Sequence, residues 1–231
     1  MNGEQLLQGR KRKGWSQEQA APRLGVSQPY LSLLERGVRR APPALARKAA
    51  TVYGLTPAAL PFDKRWDSVR PADENELASE LASLGYPGLS YLKLRRGQKK
   101  NPAEVLLRAL SAGDLDSRLV EALPWVVWKF PDMDWEWLTA VAKVHDLQNR
   151  LGYLMAVARG LAERAGEADK SAQLRRREAE LERSRLARED TLCHDSLTAT
   201  ERRWLRQHRT PEARRWRLLT DLAAEHLNHA A

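Results

Sequence analysis

The chain has 231 residues, of which 42% are hydrophobic, and carries a formal net charge of +9 at pH 7. This composition supports a folded core, and no apolar run approaches the roughly 18 residues of a membrane-spanning helix, which excludes an integral membrane protein. Residues 1–15 lack the apolar segment of a signal peptide, and the single cysteine, Cys193, cannot form an internal disulfide. We therefore expect a cytoplasmic protein of one large or two modest domains.

The positive charge is concentrated at one end of the chain. Residues 1–60 hold 10 Lys and Arg against 3 Asp and Glu, residues 61–165 hold 15 against 15, and residues 166–231 hold 14 against 12. The excess is therefore +7, 0 and +2 in the three segments. A localised basic excess is the electrostatic footprint expected of a protein that binds a polyanion.

Two short helices joined by a tight turn are predicted in residues 16–37. Ser16 and Ser27 are helix-start residues, and Gly25 between them can adopt the left-handed conformation that ends a helix. Pro29 is compatible with the second helix because it falls in the first turn, where its missing N–H is not needed. The elements predicted here are helices at 4–13, 17–24, 28–36 and 43–53, followed by a short fifth helix at 56–61.

Residues 4–61 resemble the helix-turn-helix domain of the phage-repressor and Xre-type transcriptional regulators. The resemblance rests on Ser-Gln-Glu at 16–18, Leu-Gly-Val-Ser at 24–27 and Glu-Arg-Gly at 35–37, all at the family's spacing. It implies that the second helix of the pair lies in the DNA major groove and presents its first residues to base edges. The alternative is an ordinary helical hairpin without a role in DNA binding.

The resemblance also implies which residues contact DNA. Gln28 can form a bidentate pair with adenine, whereas Pro29 and Leu33 depart from the family's commoner polar residues and suit a thymine methyl group. Arg10 and Glu35 match a pair that is partly buried and ionic in some relatives. The candidate base contacts are Gln28, Pro29, Tyr30, Ser32 and Leu33. The candidate phosphate contacts are Arg10, Lys11, Arg12, Lys13, Gln17, Ser27, Arg36, Arg39 and Arg40.

Residues 80–109 repeat the pattern of residues 20–49 with an offset of 60. Seven of thirty positions are identical, pairing Leu24, Gly25, Leu34, Arg36, Gly37, Pro42 and Ala49 with Leu84, Gly85, Leu94, Arg96, Gly97, Pro102 and Ala109. The repeat predicts a second, degenerate helix-turn-helix at about 75–112, with a recognition helix weakened because Pro87-Gly88 replaces Ser27-Gln28. We do not expect it to contact bases, although phosphate contacts remain open for Lys93, Arg95, Arg96, Lys99 and Lys100. Chance similarity between two helical hairpins is the alternative.

The rest of the chain also predicts helices, so the expected fold class is all-α. Pro124 is expected to bend or break a helix at 114–130, and a long helix is expected at 134–165. The highly charged segment 166–191 is either an exposed connector or a helix packed on one narrow stripe, and 196–229 is expected to be a helical hairpin. The expected divisions are a DNA-binding domain at 1–61, a linker at 62–74 docked through Phe62 and Trp66, a helical domain at 75–165, and a charged helix with the hairpin at 166–231.

Four tryptophans form the main aromatic mass of the chain, and two interpretations of them stay open. They are Trp125, Trp128, Trp135 and Trp137. Tryptophans in a helical region form either a core or a partner-binding face, since Trp is enriched among interface hot spots.

Residues that would indicate an enzyme are missing from the sequence. There is no Gly-rich phosphate loop, and Cys193-His194 and His226-x-x-His229 do not complete a tetrahedral zinc site, so we expect no cofactor and no metal. The first hypothesis is a transcriptional regulator that binds double-stranded DNA as a homodimer and represses its own gene. The alternatives are an antitoxin whose C-terminal helices neutralise a partner toxin protein, and a small-molecule-responsive repressor.

Overall fold

Residues 1–62, 69–92 and 99–227 are described here from a computed structural model. The chain divides into two compact units, residues 1–63 and residues 64–231. Across the described ranges it contains twelve α-helices and one two-stranded sheet, so the prediction of a helical protein is confirmed. None of the helices in these ranges has the length and apolar character needed to span a bilayer.

Unit 1 is built from four helices around one small core. They are α1 (Gly3–Arg12), α2 (Gln17–Leu24), α3 (Gln28–Glu35) and α4 (Pro43–Tyr53). The expected fifth helix is one 3₁₀ turn, Pro57–Ala59. Leu6, Leu24, Leu31 and Leu34 are buried at the centre. Gly9 lets α1 approach α4 closely, because a Cβ at this position would lie 2.8 Å from the Tyr53 ring.

Unit 2 packs its helices around one central, almost fully buried helix. Its helices are α5 (Glu74–Leu84), α6 (Pro102–Leu110), α7 (Ser117–Lys129), α8 (Trp135–Val144), α9 (Gln148–Arg164), α10 (Ala168–Glu182), α11 (Ala199–His208) and α12 (Pro211–Arg215). Thirteen of the seventeen residues of α9 are buried. Gly152 of α9 is in direct contact with the buried indole of Trp216, leaving no room for a side chain.

One helix prediction in unit 2 is wrong, and the break that the sequence allowed at Pro124 does not occur. The long helix expected at 134–165 is two helices, because the chain turns at Asp146, which adopts a left-handed φ of 59°. Conversely, α7 continues through Pro124 to Lys129. Pro124 cannot donate to the carbonyl of Val120, but eight buried residues of α7 hold the helix against its neighbours.

The C-terminal segment is only partly the expected hairpin. Thr198 and Thr210 cap α11 and α12 as the sequence indicates. After α12 the chain forms a short strand, β2 (Leu218–Leu219), which pairs in parallel with β1 (Asp190–Thr191). Helix α10, which precedes β1, packs on α9 through a narrow buried stripe of Ser171, Leu174, Glu178 and Leu181, the second of the two arrangements expected for segment 166–191.

The degenerate repeat has the first helix and the turn of a helix-turn-helix, but its next residues do not form a helix. Helix α5 ends at Gly85, which has a left-handed φ of 97°. Pro87–Leu89 then form one 3₁₀ turn. The remaining residues predicted for that recognition helix, Lys93, Leu94, Arg95, Arg96 and Gly97, lie outside the described residues, as does Trp66 of the linker.

The tryptophans are core residues of unit 2 rather than an exposed face. Trp125, Trp135 and Trp137 are buried, and Trp125 contacts Tyr86 edge to face at 5.4 Å. Trp128 is half-buried, and its indole N–H donates to Glu167 at 2.6 Å. The partner-binding face proposed for these four residues is therefore corrected: α7 and α8 direct their tryptophans inward, where their large apolar area is removed from water.

Candidate nucleic-acid interface

Side-chain caps and one glycine shape the turn between α2 and α3. The Ser16 hydroxyl accepts the Gln19 N–H at 3.2 Å, and the Gln19 side chain accepts the Ser16 N–H at 2.9 Å, which forms a capping box. Gly25 ends α2 with a left-handed φ of 74°. The Ser27 hydroxyl then accepts the Tyr30 N–H at 3.4 Å and starts α3. These local bonds fix the angle at which α3 leaves the turn.

A chain of polar side chains crosses unit 1 from the start of α3 to α1. The Gln28 side-chain amide donates to Gln17 Oε1 at 2.7 Å, and the Gln17 amide donates to Glu35 Oε2 at 2.8 Å. Arg10 holds Glu35 in a bidentate pair at 2.6 and 2.8 Å. We call these four residues the polar chain. Its effect is to connect the exposed start of α3 to a buried ion pair.

The Arg10–Glu35 pair is shielded from water and ionised. The Glu35 side chain is 3% exposed and that of Arg10 is 12% exposed. Burial alone would raise the pKa of Glu35, but the hydrogen bonds from Arg10 and Gln17 outweigh it, so the pKa lies below its ordinary value. The hydrogen bond to Glu35 raises the pKa of Arg10, and burial raises the pKa of the neighbouring Tyr53 to about 12.

Arg10 belongs to the interior of unit 1 and not to its DNA-facing surface. Its Nε and Nη2 donate to Glu35, and its Nη1 donates to the carbonyl of Trp15 at 2.7 Å. All three nitrogens are therefore engaged within the unit, which corrects the assignment of Arg10 to phosphate. The same bonds support the role as an ion-pair partner that the resemblance implies.

The outer face of α3 carries four of the five candidate base contacts. Pro29 is exposed, while Gln28, Ser32 and Leu33 are half-buried, and these positions share one face of the helix. Tyr30 is the exception because it packs against the core beneath α3. The structure therefore moves Tyr30 from the base-contacting set to the support of the helix.

Exposed cations lie before α2 and after α3. Those at the end of α1 are Lys11, Arg12 and Lys13, and those in and after the last turn of α3 are Arg36, Arg39 and Arg40.

Helix α4 follows without a side-chain cap, since its first residues are prolines. The Lys48 ammonium of α4 lies beside Gly25 in the turn, a position that sequence reasoning missed. No local pattern could have found it, because it depends on how α4 crosses α2.

The described residues offer little support for metal binding or for a reactive cysteine. Across 1–62, 69–92 and 99–227, no group of three or more His, Cys, Asp and Glu is arranged to hold a metal ion. The Cys193 thiol is buried, which raises its pKa to about 12.

The comparisons with known proteins agree with this geometry. Residues 6–60 match the family model described as Helix-turn-helix, a DNA-binding domain of transcriptional regulators. The match covers α1 to α4 and lies wholly within unit 1. No match was found among curated proteins or among solved structures.

Proposed function

Because unit 1 is a helix-turn-helix domain of the Xre and phage-repressor type, we propose that the protein is a sequence-specific regulator that represses its own gene. It binds double-stranded DNA as a homodimer, and each α3 enters the major groove of one half of a palindromic operator. The observation that carries this proposal is the polar chain, which holds Gln28 at the start of α3.

The polar chain orients the Gln28 amide for adenine. Because Gln17 donates to Glu35, its Oε1 faces Gln28 and accepts one of the two hydrogens on Gln28 Nε2. Gln28 keeps its other Nε2 hydrogen and its Oε1. Adenine offers N7 as acceptor and its N6 amino group as donor, so these two remaining groups match its major-groove edge. A pre-oriented amide loses less side-chain entropy when it binds.

The exposed cations supply affinity that does not depend on sequence. Lys11, Arg12 and Lys13 precede the start of α2, and Arg36, Arg39 and Arg40 follow α3. Each cation that neutralises a phosphate releases condensed counterions, so affinity falls steeply as salt rises. Gln17 and Ser27 complete the proposed phosphate-contacting set. Their contacts within unit 1, to Gln28, Glu35 and Tyr30, support an orienting role in addition to the phosphate contact.

Unit 2 favours a ligand-responsive regulator over an antitoxin. The antitoxin hypothesis rests on analogy of architecture, and burial of Trp125, Trp135 and Trp137 removes the tryptophan face that could have served as its partner-binding surface. Unit 2 instead has an open, mostly apolar groove of about 560 Å³. That volume falls in the range of small-molecule sites, roughly 300–1,000 Å³.

Selection of duplexes from a random library tests the proposal. The full chain should enrich a two-fold symmetric sequence, and Gln28→Ala should lose about 1–3 kcal/mol of discrimination at one adenine in each half-site. Binding to unrelated duplexes should remain. Gln8→Ala, at an exposed glutamine of α1, is the matched control. An unchanged preference in Gln28→Ala would sink the assignment of that residue.

A further inference from the structure

A groove in unit 2 lies between α7 and α11. Its remaining walls are β2 and the loop that follows β1. Val120, Leu197 and Leu205 contribute apolar side chains to its surface, while Leu192 and Leu219, which also line it, are almost fully buried. We call this feature the α7–α11 groove. Its volume of about 560 Å³ is sufficient for a small organic molecule.

The charge on the groove is opposite to that of the protein as a whole. Glu121, Glu201 and Asp221 line it together with His194 and His226, whereas its lining residues within the described ranges include no Lys or Arg. This absence is notable in a chain with 39 Lys and Arg among 231 residues. Hydrogen bonds from the side chain and backbone of Thr198 hold the pKa of Glu201 below its ordinary value, so this carboxylate is charged at neutral pH.

An exposed aromatic ring stands at the same groove. Trp204 is 50% exposed, and it lines the groove from α11. Its ring stacks on His208 with centroids 4.2 Å apart, which holds it in place. An indole face attracts a cation through its quadrupole, and the nearby carboxylates add a separate electrostatic attraction. Trp204 therefore adds both apolar area and cation affinity.

We propose that the α7–α11 groove binds a small amphipathic cation, an amine or quaternary ammonium group carried on an apolar body. The apolar body lies on Val120, Leu197 and Leu205, and the cationic group faces Glu121 and Asp221 beside Trp204. Anionic ligands are disfavoured because they would meet carboxylates without a compensating Lys or Arg. Binding depends on unit 2 alone, whereas the use of the ligand as an effector rests on the proposed function.

Calorimetric titration of the full chain with three matched naphthalene probes tests the ligand class. The probes are 1-naphthylmethylamine, 1-naphthylmethanol and 1-naphthoate, which share the ring system and differ in charge. We expect the amine to bind at least about tenfold more tightly than the carboxylate, since attraction and repulsion at the same carboxylates act in opposite directions. Equal affinity for the amine and the carboxylate, or no heat from the amine at millimolar concentration, overturns the proposal.

Two variants locate the binding site. Glu121→Gln should weaken amine binding about three- to tenfold and leave the alcohol unchanged, because it removes charge but little volume. Trp204→Ala should weaken amine binding about threefold or more. Glu136→Gln, at an exposed carboxylate of α8 outside the groove, is the matched control. Unchanged amine affinity in Glu121→Gln contradicts the proposed placement.

The remaining outcomes distinguish ligand binding at the α7–α11 groove from an effect of the ligand on DNA binding. If Trp204→Ala turns a dimer into a monomer in sedimentation and the amine does not bind, the groove is an interface between two copies of the chain and the proposal is overturned. If the amine binds but does not change DNA affinity, the site stands and the effector role is contradicted. Failure of the free protein to prefer any DNA sequence contradicts the proposed function and not the calorimetric result.

Discussion

Residues 17–35 of unit 1 and residues 74–92 of unit 2 begin in the same way and then diverge. In each, a helix ends at a glycine with left-handed φ, Gly25 at 74° and Gly85 at 97°. In unit 1 the cap residue Ser27 then starts an eight-residue helix. In unit 2 Pro87 starts only one 3₁₀ turn. The glycine provides the turn, but the residues after it decide whether a recognition helix follows.

The two regions also use their cations differently. In unit 2, Arg108 pairs with Glu80 at 2.8 Å, and Lys100 lies 3.0 Å from Glu76 and 2.5 Å from Glu80. The hydrogen bonds from Arg108 and Lys100 lower the pKa of Glu76 to about 2. Lys100 is therefore paired within unit 2, which argues against the phosphate contact that the sequence left open for it. Among the basic candidates within residues 1–62, Arg10 is paired with a carboxylate, whereas Lys11, Arg12, Lys13, Arg36, Arg39 and Arg40 are exposed.

Removing the buried carboxylate of unit 1 should have the largest effect. Glu35→Ala leaves Arg10 buried without its partner, and we expect a loss of about 3–5 kcal/mol in the free energy of unfolding of unit 1. Glu80→Ala should cost unit 2 less, because Arg108 and Lys100 keep Glu76. Native-state hydrogen exchange measures both, unit by unit. The double variant Arg10→Met/Glu35→Leu should recover most of the loss. Similar losses of unfolding free energy in Glu35→Ala and Glu80→Ala would show that the two ion pairs contribute equally to the stability of their units.

Gln17→Ala separates two roles for the same residue. If Gln17 mainly orients Gln28, its loss should reduce the preference for the cognate adenine by about 1 kcal/mol, roughly fivefold, and leave unrelated duplexes unaffected. If Gln17 mainly contacts phosphate, affinity for every duplex should fall by the same factor. Fluorescence anisotropy with cognate and single-base-changed operators distinguishes the two results. In the described residues of unit 2, no side-chain hydrogen bond like that between Gln28 and Gln17 is seen at the turn that contains Pro87.

Removing an exposed cation should change the salt dependence of DNA binding when the cation belongs to unit 1, and not when it belongs to the repeat in unit 2. Arg39→Ala and Arg40→Ala should each reduce the slope of log affinity against log salt by about 1. Lys100→Ala, at the position aligned with Arg40 in the repeat, should leave the slope unchanged because this lysine is paired with Glu76 and Glu80. A change in slope with Lys100→Ala would place the repeat on the DNA.

Acid should weaken both units, and Glu35 should account for part of the effect in unit 1. Because the folded-state pKa of Glu35 is depressed, its stabilising contribution is complete above the unfolded value of about 4.3 and is lost as pH falls below it. Glu35→Gln should therefore show a weaker fall in the stability of unit 1 between about pH 5 and pH 3. Hydrogen exchange cannot be followed easily at each pH, so urea unfolding monitored by unit-specific fluorine labels is the measurement. If the stability of unit 1 falls as steeply with pH in Glu35→Gln as in the wild type, Glu35 does not account for the loss of stability in acid.

Local features of this protein could be predicted from sequence, and features set by packing could not. Ser16, Ser27 and Gly25 act through bonds to residues within a few positions, so their pattern alone indicated the caps and the turn. The resemblance supplied the Arg10–Glu35 pair. The break at Asp146 needs a left-handed φ at a residue other than glycine, which the helical period does not indicate. The pairing of β1 with β2 depends on contacts between distant segments, which no local pattern records.

The same distinction applies to the candidate site. Gln28 was identified from its place in the motif, but the orienting role of Gln17 depends on how α2 crosses α3. Tyr30 was a candidate base contact because it belongs to the first turn of the predicted recognition helix. Its actual direction, toward the core, follows from the packing of α3.

A footprint of the full chain on the DNA upstream of its own gene, repeated over a series of salt concentrations, tests the central claim most directly. The account predicts a protected, two-fold symmetric site with half-sites about one helical turn apart, and an affinity that falls steeply as salt rises. Equal and weak binding to every duplex would contradict it, because α3 would then hold Gln28 without using it to distinguish one sequence from another.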